Sequence, residues 1–289
     1  MISAIPVEVT QHLSELRFEI QSFSFVGGGC INSGGRLKTS RGDFFLKWNS
    51  ARKFPGMFES EARGLNILRQ PSVVHIPAVI ATASLKDWQF IVLEFIEEKK
   101  KSSHYWKNLG QQLAMLHKQS APTFGLDHDN YIGSLRQINY PQKNWIDFFI
   151  EQRLIVQIEW AINNSTMSAS TAHQFDSLFK KLPELLPVEK PSLLHGDLWS
   201  GNLIADDRGE PCLIDPAVYY GHREAEIAFT SLFGGFASGF YESYNENFSL
   251  SPGFFERSDV YNLYPLMVHV NLFGGGYLTQ VVSILRRFV

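Results

Sequence analysis

Two polar clusters joined by short apolar runs constrain this chain more than any other feature. The first is His195-Gly196-Asp197-Leu198-Trp199-Ser200-Gly201-Asn202, and the second is Asp215-Pro216. The apolar runs at 203–204 and 212–214 between them read as the strands of a hairpin. Such a hairpin carries Asn202 and Asp215 side by side to one of its ends. Their oxygens are the hard donors that Mg²⁺ prefers, and Mg²⁺ takes only one or two protein ligands alongside phosphate oxygens. Asp197, five residues before Asn202, then faces an acceptor hydroxyl and not the metal. This is the division of labour of a phosphoryl-transfer loop, in which an Asp orients or deprotonates the hydroxyl while an Asn and a later Asp hold the metal. An isolated D-x-x-x-x-N spacing is more often a pair of turn caps beside glycines, so the reading depends on what else the chain carries.

The N-terminal region supplies the rest. Gly27-Gly28-Gly29-Cys30-Ile31-Asn32 follows a β-rich run at 23–26, and glycines there let backbone amides approach phosphates closely. The segment is neither G-x-G-x-x-G nor a Walker loop, and by itself it reads equally as a tight hairpin turn. Lys47 lies inside the apolar strand-like run Phe45-Leu46-Lys47-Trp48. Glu61, on the helical pattern at 58–68, is the partner that would hold Lys47 on the α- and β-phosphates. Glu59 is two residues away on another face, so Glu61 is preferred.

The surrounding pattern divides the chain. Up to about residue 96 it is strand-rich, with helical periods at 7–16 and 58–68 and a hairpin at 79–83 and 88–95. Gly34-Gly35 suggests a short or flexible second strand. After the polar break Glu97-Glu98-Lys99-Lys100-Lys101, apolar residues recur at helical spacing through Trp106, Leu109, Leu113 and Leu116, and again at 144–162, 172–182 and 261–288. The expected division is a nucleotide-binding lobe at 1–96, a hinge at about 94–99, and a larger helical lobe at 97–289. A cleft between two lobes is a common place for a nucleotide.

Composition removes other classes. With 26 basic against 29 acidic residues and a net charge of −3, the chain lacks the basic excess of a nucleic-acid binder. At 44% apolar and 13% aromatic it can bury a real core. No apolar run approaches the 18 or more residues of a membrane span, and the N-terminus shows no secretory signal pattern. Cys30 and Cys212 are the two cysteines, too few for a disulfide framework and in keeping with a reducing, cytoplasmic location.

The order of glycine turn, strand Lys, helix Glu, hinge, HGDLWSGN and IDP resembles the aminoglycoside and choline phosphotransferase branch of the protein-kinase-like fold. Within that branch the chain is similar to the fructosamine kinase (ketosamine 3-kinase) family along nearly its whole length. The matching segments are GGGCIN, FESEARGLNIL, LGQQLAMLH, FGLDHDNYIG, the W-x-x-FF-x-x-x-RL pattern from Trp145, HGDLWSGN, and IDPAVYYGHREAEIAF followed by FGGF. The resemblance implies an α+β, bilobal protein-kinase-like fold with a small β-rich N-lobe and a larger, mainly helical C-lobe. It implies ATP and Mg²⁺ as cofactors, Asp197 as catalytic base, Asn202 and Asp215 as metal ligands, and Lys47 with Glu61 as the phosphate-positioning pair. Gly27, Gly28, Gly29 and Cys30 would cover the triphosphate, and backbone groups near Glu94 and Ile96 would meet adenine. His195 reads as a loop-holding residue, and Glu226 as a brace for the catalytic loop. Trp199 would stack on a sugar-like acceptor or, failing that, anchor the loop.

The implied activity is transfer of phosphate from ATP to a sugar hydroxyl (O3 of the ketose part) of a ketosamine, either a small molecule or one attached to a protein lysine, as deglycation repair. Fructosamines, ribulosamines and erythrulosamines are equally plausible acceptors. The alternatives are another small-molecule phosphotransferase, of the aminoglycoside or choline type, and a non-catalytic nucleotide-binding protein. Neither a nucleic acid nor a membrane is expected as partner. Cys30, near Lys47 on the phosphate lid, sits in an electropositive setting that favours thiolate, so the chain is expected to be a monomer or a redox-sensitive homodimer joined through Cys30.

Overall fold

The structure is a computed structural model that describes residues 4–26 and 32–288. In chain order the elements begin with α1 (Val7–Glu15), β1 (Ile20–Phe25), β2 (Ser33–Thr39), β3 (Gly42–Ser50), α2 (Met57–Arg69), β4 (Val79–Ser84) and β5 (Trp88–Glu94). There follow α3 (Tyr105–His117), β6 (Asn130–Ile132), β7 (Leu135–Gln137), α4 (Trp145–Phe148), a π-helical turn (Phe149–Leu154), α5 (Ile155–Asn163) and α6 (Ala169–Leu185). Last come β8 (Ser192–Leu194), β9 (Leu203–Ala205), β10 (Pro211–Leu213), β11 (Tyr219–Gly221), α7 (Arg223–Leu232), α8 (Ser238–Asn247), α9 (Phe254–Phe273) and α10 (Gly276–Phe288). Among the described residues no helix is long and apolar enough to cross a membrane.

The chain packs as two compact units, Met1–Tyr105 with Gly201–Pro216, and Trp106–Ser200 with Ala217–Val289. The first is built on an antiparallel five-stranded sheet in the order β1-β2-β3-β5-β4. Side chains on a strand alternate between faces, and here the alternation sorts β3. Leu46 and Trp48 join Val9, Leu13, Phe23, Phe90 and Val92 in the core that includes α1. Lys47, between them in sequence, is thereby turned to the opposite face. Helix α2 buries Phe58, Leu65 and Leu68 and packs on β4 and β5.

The β9–β10 hairpin belongs to this same unit. Ala205 O accepts the Lys99 amide at 3.0 Å, Gly209 O accepts that of Ser102 at 3.0 Å, and Leu213 donates its amide to His75 O at 3.0 Å. His75 Nδ1 also reaches Asp206, at 3.1 Å. A division at residue 96 would assign the hairpin to the helical part; the backbone bonds tie it to His75, before β4, and to Lys99 and Ser102, after β5.

Sequence pattern undersold the second strand. β2 spans seven residues, Ser33–Thr39, and includes Gly34 and Gly35. The reason is close approach: a Cβ on Gly35 would lie 2.2 Å from Ser24 O and 2.8 Å from the Phe23 ring. The glycine lets β1 sit tightly and does not weaken the strand.

The second unit is mainly helical, with two-stranded sheets β6–β7 and β8–β11. Helix α9 packs against α5, α7 and α10 and buries Leu263, Leu266, Met267 and Val270. The helical stretch expected at 261–288 starts earlier, at Phe254, and is broken at Gly274, whose φ of 83° ends α9. Helices α7 and α8 were not marked by the sequence pattern.

Gly35→Ala should push β1 off the sheet and destabilise the protein by about 1–3 kcal/mol, the usual cost of overpacking. Gly239→Ala, in α8 with nothing within 4 Å of the added methyl, should leave the melting temperature unchanged or slightly raised. Thermal denaturation of the two variants checks the pair.

Candidate active site

In the sheet-containing unit the site is organised by Lys47. Its side chain is 7% exposed, and Nζ lies 2.7 Å from Glu61 Oε1. The same ammonium also donates to Asp215 Oδ1. Burial works against the ammonium, but the Asp215 and Glu61 carboxylates outweigh it and raise the Lys47 pKa above its ordinary value. Burial raises Glu61 above the usual carboxylate range, with Lys47 pulling the other way. The choice between the α2 carboxylates is settled by facing: Glu61 points at Lys47, whereas Glu59 is exposed.

Asp215 is held in an uncommon backbone conformation, with φ of 54°. A non-glycine residue in this region costs energy and is found disproportionately at functional sites. Asn202 closes a short 3₁₀ turn, Ser200–Asn202, and is buried. Its carbonyl accepts the Ile214 amide at 3.1 Å, and its Nδ2 donates to Asp215 O at 3.4 Å. The hairpin register, Leu203 opposite Leu213, thus sets Asn202 and the residues up to Asp215 at one end. The atoms offered there, Asn202 Oδ1 and the Asp215 carboxylate, are hard oxygens, and the Lys47 ammonium on Asp215 shows that the carboxylate accepts a cation. The donor set fits Mg²⁺.

Glu94 and Ile96 lie at the end of β5 and just beyond it. The Glu94 amide is committed to Ala78 O at 2.8 Å and its carboxylate accepts the Ala78 amide at 3.0 Å. What Glu94 can offer a base from its backbone is therefore its carbonyl. Gly27, Gly28, Gly29 and Cys30 lie outside the described residues, as does the proposed redox chemistry at Cys30. Cys212 is a free, buried cysteine, and burial raises its thiol pKa.

In the helical unit the loop at His195-Gly196-Asp197 is held by a buried carboxylate. Glu226, 3% exposed, accepts the amides of His195 at 3.2 Å and Gly196 at 2.6 Å, and His117 Nε2 at 2.9 Å. His117 Nδ1 meets Tyr244 OH at 2.8 Å. Burial would raise the Glu226 carboxyl, but the His117 hydrogen bond and the Gly196 amide outweigh it and hold it below its ordinary value. His195 is fully buried, and its Nδ1 accepts the Asp197 amide at 3.3 Å. Gly196 has φ of 85°, and a Cβ there would lie 1.9 Å from Ala217 O. Only glycine fits between His195 and Asp197. Asp197 itself is half-buried, and Trp199 is 38% exposed.

One group of residues escaped the sequence reading. Phe233 and His269 have ring centroids 4.6 Å apart, with Tyr277 at 5.0 Å and Phe273 at 5.4 Å from His269. His269 Nδ1 donates to Pro265 O at 2.7 Å, which makes Nε2 the acceptor nitrogen of the neutral ring. Around this half-exposed cluster, Gly234, Gly235, Gly274, Gly275 and Gly276 leave space where a Cβ would meet nothing within 4 Å. The signal was the pair of Phe-Gly-Gly turns, at 233–235 and 273–275.

The family model described as fructosamine kinase matches residues 1–289. A protein-ribulosamine 3-kinase of Oryza sativa subsp. indica is 41% identical, over 94% of this chain and 80% of its own length. Ketosamine-3-kinase of Mus musculus is 34% identical over 90% of this chain and 93% of its own. A crystal structure from Thermobifida fusca, named "putative fructosamine-3-kinase", superposes with a TM-score of 0.86 at 30% identity, over 96% of this chain and 97% of that one.

The sign of the Glu226 shift gives a test of the brace. Because its folded pKa is depressed, the carboxylate contributes stability that is present above the unfolded value of about 4.3 and is lost as pH falls through the folded value. Glu226→Gln should therefore cost about 1.5–3 kcal/mol near neutral pH, the worth of hydrogen bonds to a charged group, and the gap to wild type should narrow below roughly pH 4. Urea unfolding across pH measures it; a gap that stays constant with pH would show that the Glu226 charge is not what holds the loop.

Proposed function

The chain belongs to the fructosamine kinase family, and on that premise we propose that it transfers the γ-phosphoryl group of ATP to a sugar hydroxyl of a ketosamine. The observation that carries the reading is the buried Lys47 ammonium shared by Glu61 and Asp215. That arrangement presets a cation for the phosphates and holds Asp215 at the end of its hairpin. The position on the sugar is O3, in keeping with relatives named ribulosamine 3-kinase and ketosamine-3-kinase.

Residue by residue, Lys47 positions the α- and β-phosphates and Glu61 holds Lys47 in place. Asn202 and Asp215 would hold Mg²⁺, which when bound neutralises charge on the β- and γ-oxygens. Asp197, kept in place by its amide bond to His195 Nδ1, orients the acceptor hydroxyl and takes its proton. The Glu94 carbonyl and the backbone near Ile96 meet adenine. Trp199 and the Phe233, His269, Phe273 and Tyr277 cluster offer aromatic faces to the C–H groups of the sugar. The 3-phosphate so formed is prone to eliminate, so the reaction undoes glycation of a free ketosamine or of a protein lysine.

Incubation with ATP, Mg²⁺ and a panel of fructosamine, ribulosamine, erythrulosamine and aminoglycoside acceptors should give a new ³¹P phosphomonoester signal with a ketosamine. Product from aminoglycosides alone, or from none of the panel, refutes the assignment. Asp197→Asn should lower kcat by about 10²–10⁴-fold, the usual worth of a general base, with ATP binding by calorimetry near wild type. Retention of wild-type kcat would remove Asp197 from the role. Asp215→Ala should instead weaken ATP binding and kcat together and raise the Mg²⁺ concentration needed for half-maximal rate. An unchanged Mg²⁺ dependence would count against Asp215 as ligand.

A further inference from the structure

Arg153 is the largest fully buried side chain among the described residues, and it sits in the π-helical turn Phe149–Leu154 between α4 and α5. π turns are rare and concentrate at functional places. The guanidinium carbon lies 4.1 Å from the Tyr219 ring centroid, 4.5 Å from Phe148 and 5.3 Å from Tyr264. Its NH1 donates to the Ile138 and Gln152 carbonyls and its NH2 to Asn139 Oδ1 at 2.8 Å, while Nε is buried with no partner. Among the described residues it pairs with no carboxylate. A buried charge without a counter-charge is expensive, and an apolar residue of similar size fills such a space at less cost. The charge calls for a reason beyond packing.

The hydrogen bonds that start from it supply one. A guanidinium can only donate, so Asn139 must turn its oxygen toward Arg153 and its Nδ2 away, toward Asn130 Oδ1 at 3.1 Å. Asn130 must then aim its Nδ2 at Val218 O, at 2.8 Å. Gln137 Nε2 joins the same Asn130 oxygen at 2.8 Å and also donates to Ala217 O at 3.1 Å, while its Oε1 accepts Tyr264 OH at 2.7 Å. Amides can face either way around in an isolated chain; here the donor-only guanidinium at one end and the acceptor-only carbonyls of His128, Ala217 and Val218 at the others agree on one direction. Both branches finish on carbonyls of consecutive residues, Ala217 and Val218. Ala217 is where the catalytic loop rests: its amide donates to His195 O at 2.9 Å, and Gly196 lies directly against its carbonyl.

We propose that Arg153 is a positioning residue that, through Asn139, Asn130 and Gln137, fixes the Ala217–Val218 carbonyls and so the seat of His195-Gly196-Asp197. The proposal rests on the kinase reading given above. It requires no contact between Arg153 and a substrate. Its effect is on where Asp197 stands, and a misplacement of about 1 Å at a reacting group costs on the order of 10²-fold in rate.

Three variants grade the chain of bonds. Arg153→Lys keeps the charge and loses the fork, Asn130→Asp keeps size and loses the donor to Val218, and Tyr264→Phe removes only the hydroxyl that holds Gln137. The first two should lower kcat at least about tenfold, and Tyr264→Phe about two- to fivefold, with KM for ATP within about twofold of wild type in all three. Hydrogen exchange of the unliganded protein should rise at the 193–199 and 217–219 amides and stay at wild-type level in the β1–β5 sheet. Should Arg153→Lys or Asn130→Asp fail to fold, Tyr264→Phe decides alone. Wild-type kcat per folded molecule in Tyr264→Phe, with unchanged exchange at those amides, overturns the proposal. Absence of ketosamine turnover in the wild type is a different result: it removes the kinase reading, and the exchange measurement still reports whether these bonds hold the loop.

Discussion

The ammonium of Lys47 cannot be left unpaired where it lies, and much of the sheet-containing unit follows from that. Its partners come from helix α2 and from the far end of the β9–β10 hairpin, which are 14 and 168 residues away in sequence. Losing both partners would strand a buried charge, which typically costs several kcal/mol. The pairing therefore works as a registration device: strand alternation turns Lys47 to the α2 face, helical phase chooses Glu61 over Glu59, and the hairpin must deliver Asp215 to the same point. Two carboxyls against one ammonium also leave the cluster short of positive charge, a bias that suits a metal-bearing polyphosphate better than a bare anion.

The helical unit solves a different problem, that of holding a loop that has almost no regular structure. His195 and Gly196 direct their amides at the Glu226 carboxylate, and Gly196 packs against the Ala217 carbonyl. The brace is itself braced. His117 reaches Glu226 with one nitrogen and Tyr244 with the other, and Tyr244 OH accepts from Arg223 at 3.4 Å. A buried network of this kind is stiff only while every member is satisfied, which is why the loop can present Asp197 half-exposed without wandering.

Much of this was legible in the sequence, for identifiable reasons. The hairpin and its two polar ends were readable because both strands are short apolar runs between polar markers, a local pattern. Lys47 was readable because a lysine flanked by apolar residues in a strand calls for a partner. The tie between the hairpin and the segments beside β4 and β5 was not, because it depends on backbone bonds with His75, Lys99 and Ser102, and backbone groups carry no sequence signal. β2 was undersold because its glycines look like breakers until the neighbouring strand is seen 2.2 Å from an added Cβ. The aromatic cluster around His269 joins residues of α9 and α10 to Phe233, at the end of α7, a tertiary contact that periodicity does not encode.

The length of the Asp215-Pro216-Ala217-Val218-Tyr219-Tyr220-Gly221-His222-Arg223-Glu224 motif is explained almost residue by residue, and the explanations are structural. Val218 O accepts Asn130, and Tyr219 lies over the Arg153 guanidinium. A Cβ on Gly221 would sit 2.5 Å from both Leu194 and the Tyr219 ring. His222 donates Nε2–H to Pro187 O, so its Nδ1 is the acceptor that caps the Glu224 amide at the start of α7. Burial holds the His222 pKa below its ordinary value, in agreement with that neutral ring. Arg223 forms a two-pronged pair with Glu189, and Glu224 another with Arg257. After Asp215, the motif therefore specifies how a loop is held and says little about what the loop acts on. A chain could keep every one of these residues and change its acceptor. In the proposed reading, acceptor choice must be written in exposed side chains that the scaffold does not use, and aromatic residues such as Trp199 and Phe273 meet that description where the motif does not.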